Sequence, residues 1–268
     1  MVKILVFDLD GTLLNDQKEL SLKTKNYLQK KKEEGYIIVI ATGRMFQSVL
    51  NVTENAYFCN YIISDTGALI YDNQKKEVIF RKNIAKEVFD KFFDYYDEKC
   101  FCIEACDQNK IYWYKKSINF HNDKISLYFN DKNELLNEIK DITQASIYMN
   151  KNKDIKKIYY DMTKKFPELS VFIMQESNGK KKWIESQVKG CSKYNAIIYL
   201  KEKLKLNNCQ IIAFGDSLND LEMLEKCDVG VAMKNALVDV KKVAKYVTEK
   251  TNNENGVVEF LEKYLDLE

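Results

Sequence analysis

The chain begins Met1-Val2-Lys3-Ile4-Leu5-Val6-Phe7-Asp8-Leu9-Asp10-Gly11-Thr12-Leu13-Leu14. Up to Phe7 the run is almost unbroken apolar, as a strand covered on both faces requires. It then breaks into Asp8-Leu9-Asp10-Gly11, a tight acidic turn. Two carboxylates at alternate positions, just past a strand's carboxyl end, stand where open α/β sheets place their ligands. Taken alone, Asp-x-Asp-Gly is equally a turn that happens to be acidic, so its meaning depends on the rest of the chain.

Working outward, Leu22 to Glu34 reads as an amphipathic helix closed at Gly35. Tyr36 to Ile40 is a second all-apolar strand, ending in the small polar turn Ala41-Thr42-Gly43-Arg44. A helix from Phe46 and a short strand, Tyr61 to Ser64, lead to Asp65-Thr66-Gly67-Ala68. Leu69 to Tyr71 and Glu77 to Phe80 read as a hairpin. Strand and helix alternate, which predicts a parallel sheet with crossover helices. The alternation returns after Cys191, with a helix over Ser192 to Leu206 and a buried strand over Cys209 to Phe214. Gly215-Asp216-Ser217-Leu218-Asn219-Asp220 then opens a helix through Leu224. Val229 to Met233, Ala236 to Val243, Tyr246-Val247 and Gly256 to Leu265 read as strand, helix, strand and helix.

The middle of the chain has a different rhythm. Helices are expected over Ile84 to Glu98, Asp131 to Ile142 and Asp154 to Lys165. Strands are expected over Phe101 to Ala105, Lys110 to Tyr114, Ala145 to Met149, Leu169 to Met174 and Lys182 to Glu185. More than half of the aromatic residues lie between Asn83 and Ser186, as a small sheet needing large core side chains would require. The fold class expected is therefore α/β: a Rossmann-like parallel sheet core, residues 1–82 and 187–268, with an α+β cap domain, residues 83–186, inserted in it.

Composition narrows the function. Hydrophobic content is 46% and charged content 31%, those of a globular protein rather than a disordered one. No apolar run approaches the roughly 20 residues of a membrane span, and no basic start with a cleavage site marks a signal peptide. A net charge of +2 with interspersed lysines and acids is no nucleic-acid footprint. Seven scattered cysteines read as free thiols in a reducing, cytoplasmic setting. In the cluster Cys100, Cys102 and Cys106, alternation along a strand explains the first two as ordinary packing, and no Cys-x-x-Cys pair accompanies them to point to a metal site. His121 is the only histidine, which excludes multi-histidine zinc sites and a histidine nucleophile acting with a second histidine.

Four polar clusters thus sit at strand ends or at a helix start: Asp8 with Asp10, Thr42-Gly43-Arg44, Lys193, and Gly215-Asp216 with Asn219-Asp220. A parallel sheet brings such ends to one edge. Carboxylates meeting there repel unless a cation or lysine is present. An oxygen-only donor set selects a hard ion, and Mg2+ is the natural choice.

In order, Asp8-Leu9-Asp10-Gly11-Thr12-Leu13-Leu14, Ala41-Thr42-Gly43-Arg44, Ser192-Lys193 and Gly215-Asp216-Ser217-Leu218-Asn219-Asp220 resemble the four motifs of the haloacid dehalogenase superfamily. With the mid-chain insert and Val231-Ala232-Met233-Lys234-Asn235-Ala236, the chain is similar to the Cof-type sugar-phosphatase branch with a subclass IIB cap. The resemblance implies catalytic roles for three residues. Asp8 is the nucleophile that forms an aspartyl-phosphate. Asp10 is the acid and then the base, and Lys193 neutralises charge. It assigns phosphate or substrate contacts to Leu9, Thr42, Gly43, Arg44 and Asn219. It assigns Mg2+ to Asp8, Asp10 and Asp216, with Asp220 orienting the groups behind them. Each has a plainer reading beside it: Asp216 as a helix cap, Asp220 as a surface acid, Arg44 as the partner of a nearby acid.

Two residues depart from the family pattern. Thr66-Gly67 stands where Asn-Gly is frequent, and Lys193-Tyr194 where Lys-Gly is common. Both bear on substrate choice. The expected activity is Mg2+-dependent hydrolysis of a small phosphorylated metabolite, sugar phosphates leading, by a monomer or weak dimer. A phosphomutase with the same aspartyl-phosphate, or a non-catalytic regulator on the same scaffold, are the competing readings. No G-x-x-x-x-G-K-[ST] loop occurs, and neither arginine lies in a thiol-phosphatase loop.

Overall fold

The computed structural model describes residues 2–97, 99–115, 125–149, 154–175 and 182–265. Glu98, the expected end of a helix, and His121 lie outside them. The chain divides into two compact units, one of residues 1–80 and 192–268, the other of residues 81–191.

In the first segment β1 (Val2–Phe7) is followed by α1 (Leu22–Glu33), β2 (Ile37–Ala41), α2 (Phe46–Val52), β3 (Tyr61–Ser64), β4 (Leu69–Asp72) and β5 (Glu77–Arg81). The second unit holds α3 (Lys86–Tyr96), β6 (Cys100–Cys106), β7 (Ile111–Tyr114), β8 (Ser126–Phe129), α4 (Lys132–Glu138), β9 (Gln144–Met149), α5 (Ile155–Lys165), β10 (Leu169–Gln175) and β11 (Lys182–Val188). The chain then returns with α6 (Lys193–Lys203), β12 (Cys209–Gly215), α7 (Leu221–Lys226), β13 (Val229–Ala232), α8 (Val238–Val243), β14 (Tyr246–Val247) and α9 (Gly256–Leu265).

The first unit is built on an eight-stranded sheet in the order β14-β13-β12-β1-β2-β3-β4-β5. From β14 to β3 every pair is parallel, and β4 runs antiparallel to β3. Ile4, Leu5, Val6 and Phe7 are all buried, so both faces of β1 are covered and no polar alternation is tolerated there. Leu28, Val49, Ile197, Leu224 and Leu261 bring α1, α2, α6, α7 and α9 into the same core. Ser21 caps α1 by accepting from Thr24 N, a contact worth about 1 kcal/mol. Strand order departs in opposite directions on the two sides of β1. This is the switch point at which the loops after neighbouring strands part and leave room for a ligand.

The second unit has a six-stranded sheet, β10-β11-β9-β6-β7-β8. Among the described residues only β7 and β8 pair in parallel there. Ile103, Ile147 and Ile184 point to one face and pack with Phe89 and Phe93 of α3, Leu135 of α4 and Met162 of α5.

Several expectations need correction here. The helix expected from Asp131 to Ile142 stops at Glu138, because Ile139 turns extended (ψ 127°) and Ile142 O accepts from Ile84 N at 2.7 Å. That same bridge removes Ile84 from the start of α3. Burying both isoleucines against the sheet core outweighs the helical periodicity of the stretch. The strand β8 was not legible, since its four residues carry no alternation. All seven cysteines are free thiols. Among the described residues no helix is long and apolar enough to cross a membrane.

Candidate active site

Three strand ends and the start of one helix carry the site. Asp8 directly follows β1 and its N–H continues the ladder to Phe214 O (3.0 Å). Asp216 directly follows β12, the strand paired to β1, with Phe7 opposite Phe214. Thr42 directly follows β2, and its N–H donates to Ile63 O (2.9 Å). Lys193 is the first residue of α6, whose cap Ser192 accepts from Asn195 N.

Two glycines let these pieces approach. Gly67 has φ +97°, and a Cβ there would lie 2.3 Å from Ser192 O, so the start of α6 rests directly on its backbone. Gly11 has φ +77°, and a Cβ would lie 2.4 Å from Asp216 Oδ2. Both positions combine a left-handed backbone with contact distance, which only glycine meets without strain.

Lys193 is fully buried and forms the hub. Its Nζ donates to Asp8 Oδ1 at 2.7 Å and to Asp220 Oδ1 at 2.6 Å. Asp220 is also fully buried, which disposes of the surface-acid reading. Its other oxygen accepts from the N–H groups of Asp216 (3.0 Å) and Ser217 (2.9 Å). Ser217 and Asp220 form the capping box of the short turn before α7. The helix cap is therefore Ser217, and the Asp216 carboxylate is left for other work. Thr12 Oγ1 donates weakly to it at 3.5 Å.

Asp8, Asp216 and Asp220 each offer an oxygen, all within 4.8 Å of one another. Burial raises the Asp8 carboxyl to about 7; Lys193 opposes this, and the charges of Asp220 and Asp10 add to it. Asp216 is raised well above the carboxylate range by burial and by Asp8 and Asp220. On Lys193 burial works downward, but Asp220 and Asp8 outweigh it and hold the ammonium firmly charged. Three carboxylates against one lysine leave a deficit of positive charge, and the set is all oxygen. That donor set fits a hard divalent cation. Asp8 and Asp216 are the residues free to hold it, because both oxygens of Asp220 are already engaged.

Asp10 belongs to a second group. Arg44 grips it with two bonds, Nε to Oδ2 at 2.5 Å and Nη2 to Oδ1 at 2.8 Å, and Lys18 Nζ donates to Oδ1 at 2.7 Å. Burial pushes Asp10 upward, but Arg44 and then Lys18 outweigh it and hold the carboxyl well below the usual range. Of the two readings of Arg44, pairing with a nearby acid describes the geometry. Thr42 is buried and its hydroxyl accepts from Arg44 N (3.2 Å); Gly43 is half-buried between them. The Leu9 side chain is in the core, and its carbonyl accepts from Thr12 and Leu14. Asn219 is half-exposed on the turn after Asp216 and is not among the residues joined to the cluster. Lys18 had no motif to announce it. It reaches Asp10 from a loop in which its own φ is +64°.

The two departures from the family pattern also have places. Thr66 sits in the left-handed region (φ 51°, ψ 34°), unusual for a β-branched residue, and its N–H donates to Thr42 O (3.1 Å). Tyr194 is half-buried, with the Lys226 ammonium 5.2 Å from its ring centroid.

A family model described as haloacid dehalogenase-like hydrolase matches residues 5–261. Among curated proteins, the 5-amino-6-(5-phospho-D-ribitylamino)uracil phosphatase YcsE of Bacillus subtilis is 26% identical, covering 98% of this chain and 96% of its own. A haloacid dehalogenase-like hydrolase of Bacteroides thetaiotaomicron superposes with a TM-score of 0.83 at 26% identity, covering 98% and 99% of the two chains. A solved subclass IIB sugar phosphatase, 22% identical over 98% and 99%, shares the fold with a TM-score of 0.80. The chain belongs to the haloacid dehalogenase superfamily, in its Cof-type branch. It is an enzyme of the phosphoric monoester hydrolase type.

Proposed function

We propose that this enzyme is a Mg2+-dependent phosphatase of small phosphorylated metabolites, sugar phosphates foremost, working through an aspartyl-phosphate on Asp8. The observation that supports it is the buried Lys193 bridging Asp8 and Asp220 beside Asp216. Lys193 holds one oxygen of Asp8, which orients the other toward an incoming phosphorus. Asp8 attacks, the bond from phosphorus to the ester oxygen breaks, and Asp10 gives its proton to the departing alkoxide. Asp10 then takes a proton from water as that water attacks the acyl phosphate, releasing inorganic phosphate and restoring Asp8.

The grip of Arg44 and Lys18 keeps Asp10 ionised, which suits the second, base half of this cycle. For the first half a phosphate dianion draws Arg44 away, and Asp10 gains the freedom to carry a proton. Thr42, Gly43, the Leu9 N–H and Asn219 are the remaining phosphate donors in this reading. Asp8 and Asp216 would hold a divalent cation, which would supply charge neutralisation on the phosphoryl oxygens.

The test is phosphate release across a panel of phosphorylated metabolites, with and without Mg2+, for the wild type and Asp8→Asn. The panel includes sugar phosphates and the substrate that names the Bacillus subtilis relative. Asp8→Asn is expected to lose activity by about three orders of magnitude or more. Turnover surviving that substitution would overturn the nucleophile assignment, and turnover indifferent to chelation would overturn the Mg2+ assignment.

A further inference from the structure

The turn that follows β13 touches both loops of the carboxylate cluster without contributing a carboxylate to it. Met233 N donates to Gly215 O at 3.0 Å and Leu237 N to Asp216 O at 3.1 Å, which closes the turn onto the loop after β12. Between them Asn235 reaches the other way. Its Nδ2 donates to Gly11 O at 2.7 Å, across 224 positions of the chain. One short turn therefore joins the loop of Asp216 to the loop of Asp8, Asp10 and Gly11.

Asn235 is itself exposed, yet its amide is fixed from behind. Its Oδ1 accepts from Asn252 N at 3.0 Å. Asn252 is buried, in a turn closed by a capping box between Thr251 and Glu254. The Asn252 amide in turn donates to Leu14 O at 2.9 Å and to Asp16 Oδ1 at 3.1 Å. A carboxamide can donate to one backbone and accept from another at once, and position 235 uses both capacities. Gly11 is where this matters. The Gly11–Thr12 peptide is gripped at both ends, Gly11 O by Asn235 and Thr12 N by Leu9 O at 3.2 Å. That fixes the plane of a residue whose backbone lies against the Asp216 carboxylate, only 2.4 Å separating Oδ2 from the place of a Cβ. Thr12 then sets its hydroxyl 3.5 Å from Asp216 Oδ1. The peptide is thus one wall against which the Asp216 carboxylate rests.

We propose that Asn235 is a positioning residue for the divalent cation: by holding Gly11 O to the turn after β13, it keeps the Asp216 carboxylate aimed beside Asp8. The inference rests on the reading of Asp8 and Asp216 as the cation's ligands and adds the residue that orders them. The test is Mg2+ titration calorimetry on the full chain without substrate, for the wild type, Asn235→Ala, Asn235→Asp and Asn253→Ala. Each variant is first shown to unfold cooperatively in urea; should Asn235→Ala fail that check, Asn235→Asp carries the test. Asn235→Ala is expected to bind Mg2+ about tenfold more weakly, the usual loss when the group orienting a ligand is removed. Asn235→Asp keeps the side chain's size and the acceptor for Asn252 N but turns a lone pair toward Gly11 O. It should weaken binding by a similar factor, although its added negative charge by itself attracts a cation. Asn253→Ala removes two bonds to the same loop, from Asp16 N and to Asp16 Oδ2, and leaves Gly11 untouched. Its Mg2+ affinity should stay within about twofold of wild type, as for an ordinary surface substitution. Unchanged affinity in either Asn235 variant would overturn the proposal, and so would an equal loss in Asn253→Ala, which would mean a general loosening of the loop. A wild type that takes up no Mg2+ would instead remove the cation site itself, and the role of Asn235 with it.

Discussion

Lys193→Met replaces the buried ammonium with an apolar side chain of similar length. Asp8, Asp216 and Asp220 then face one another with no cation. Breaking a buried pair from one side costs about 3–5 kcal/mol. The lower end is expected, because the lysine's own desolvation is removed with it. The sign of the pH dependence follows from Asp8. Its carboxyl is already raised, from 3.8 to about 7, so its contribution to stability is full below the ordinary carboxylate value and is lost as pH rises through about 7. Lys193 opposes that rise, so the variant extends the loss to higher pH. In metal-free buffer, urea unfolding should show Lys193→Met strongly destabilised above pH 7. The deficit should shrink as pH falls toward the ordinary carboxylate value and protons replace the missing charge. Adding Mg2+ above pH 7 should restore part of it, since a ligand bound only by the folded state adds stability by mass action. A deficit of constant size at all pH values would mean that Lys193 matters as packing volume, and the electrostatic account of the cluster would be wrong.

Three further substitutions probe the rest of the site. Asp10→Asn should slow turnover by about 100-fold or more, because the departing alkoxide and the attacking water both lose their proton partner; with p-nitrophenyl phosphate, whose leaving group needs no proton, a burst of nitrophenol should appear as the phosphoenzyme accumulates, and no burst with that ester would place Asp10 outside the second step. Gly11→Ala should push the Asp216 carboxylate aside, given the 2.4 Å clearance, and weaken Mg2+ affinity by about 10–100-fold, read by calorimetric titration; unchanged affinity would remove Asp216 from the cation site. Thr66→Asn suits the left-handed backbone at φ 51° and should stabilise the fold by about 1 kcal/mol in urea unfolding. No gain would mean that the threonine's other contacts offset the strain.

The sheet core was legible because its strands are buried on both faces. Ile4 to Phe7, Ile38 to Ala41 and Ile211 to Phe214 leave no room for polar alternation, so their hydrophobic runs mark them along the chain. The second unit was less so. β8 is four residues long, and Ile139 and Ile142 left the helix expected there to fill its core, a competition that local periodicity does not register. Lys18 was invisible for another reason: loop geometry brings it to Asp10, and no spacing rule connects them.

The order of residues alone settled the α/β class and the acidic turns at the strand ends, since apolar runs and turn residues act locally. It left open what each acid does. Asp216 and Asp220 are four positions apart on one turn, yet one keeps its carboxylate for the cluster and the other is locked by Lys193 and two backbone N–H groups. Asp8 and Asp10 are two apart, yet one is raised by burial among like charges and the other held down by Arg44 and Lys18. A carboxylate's role depends on which charges and donors lie within a few ångströms of it, and those come from residues up to about 200 positions away.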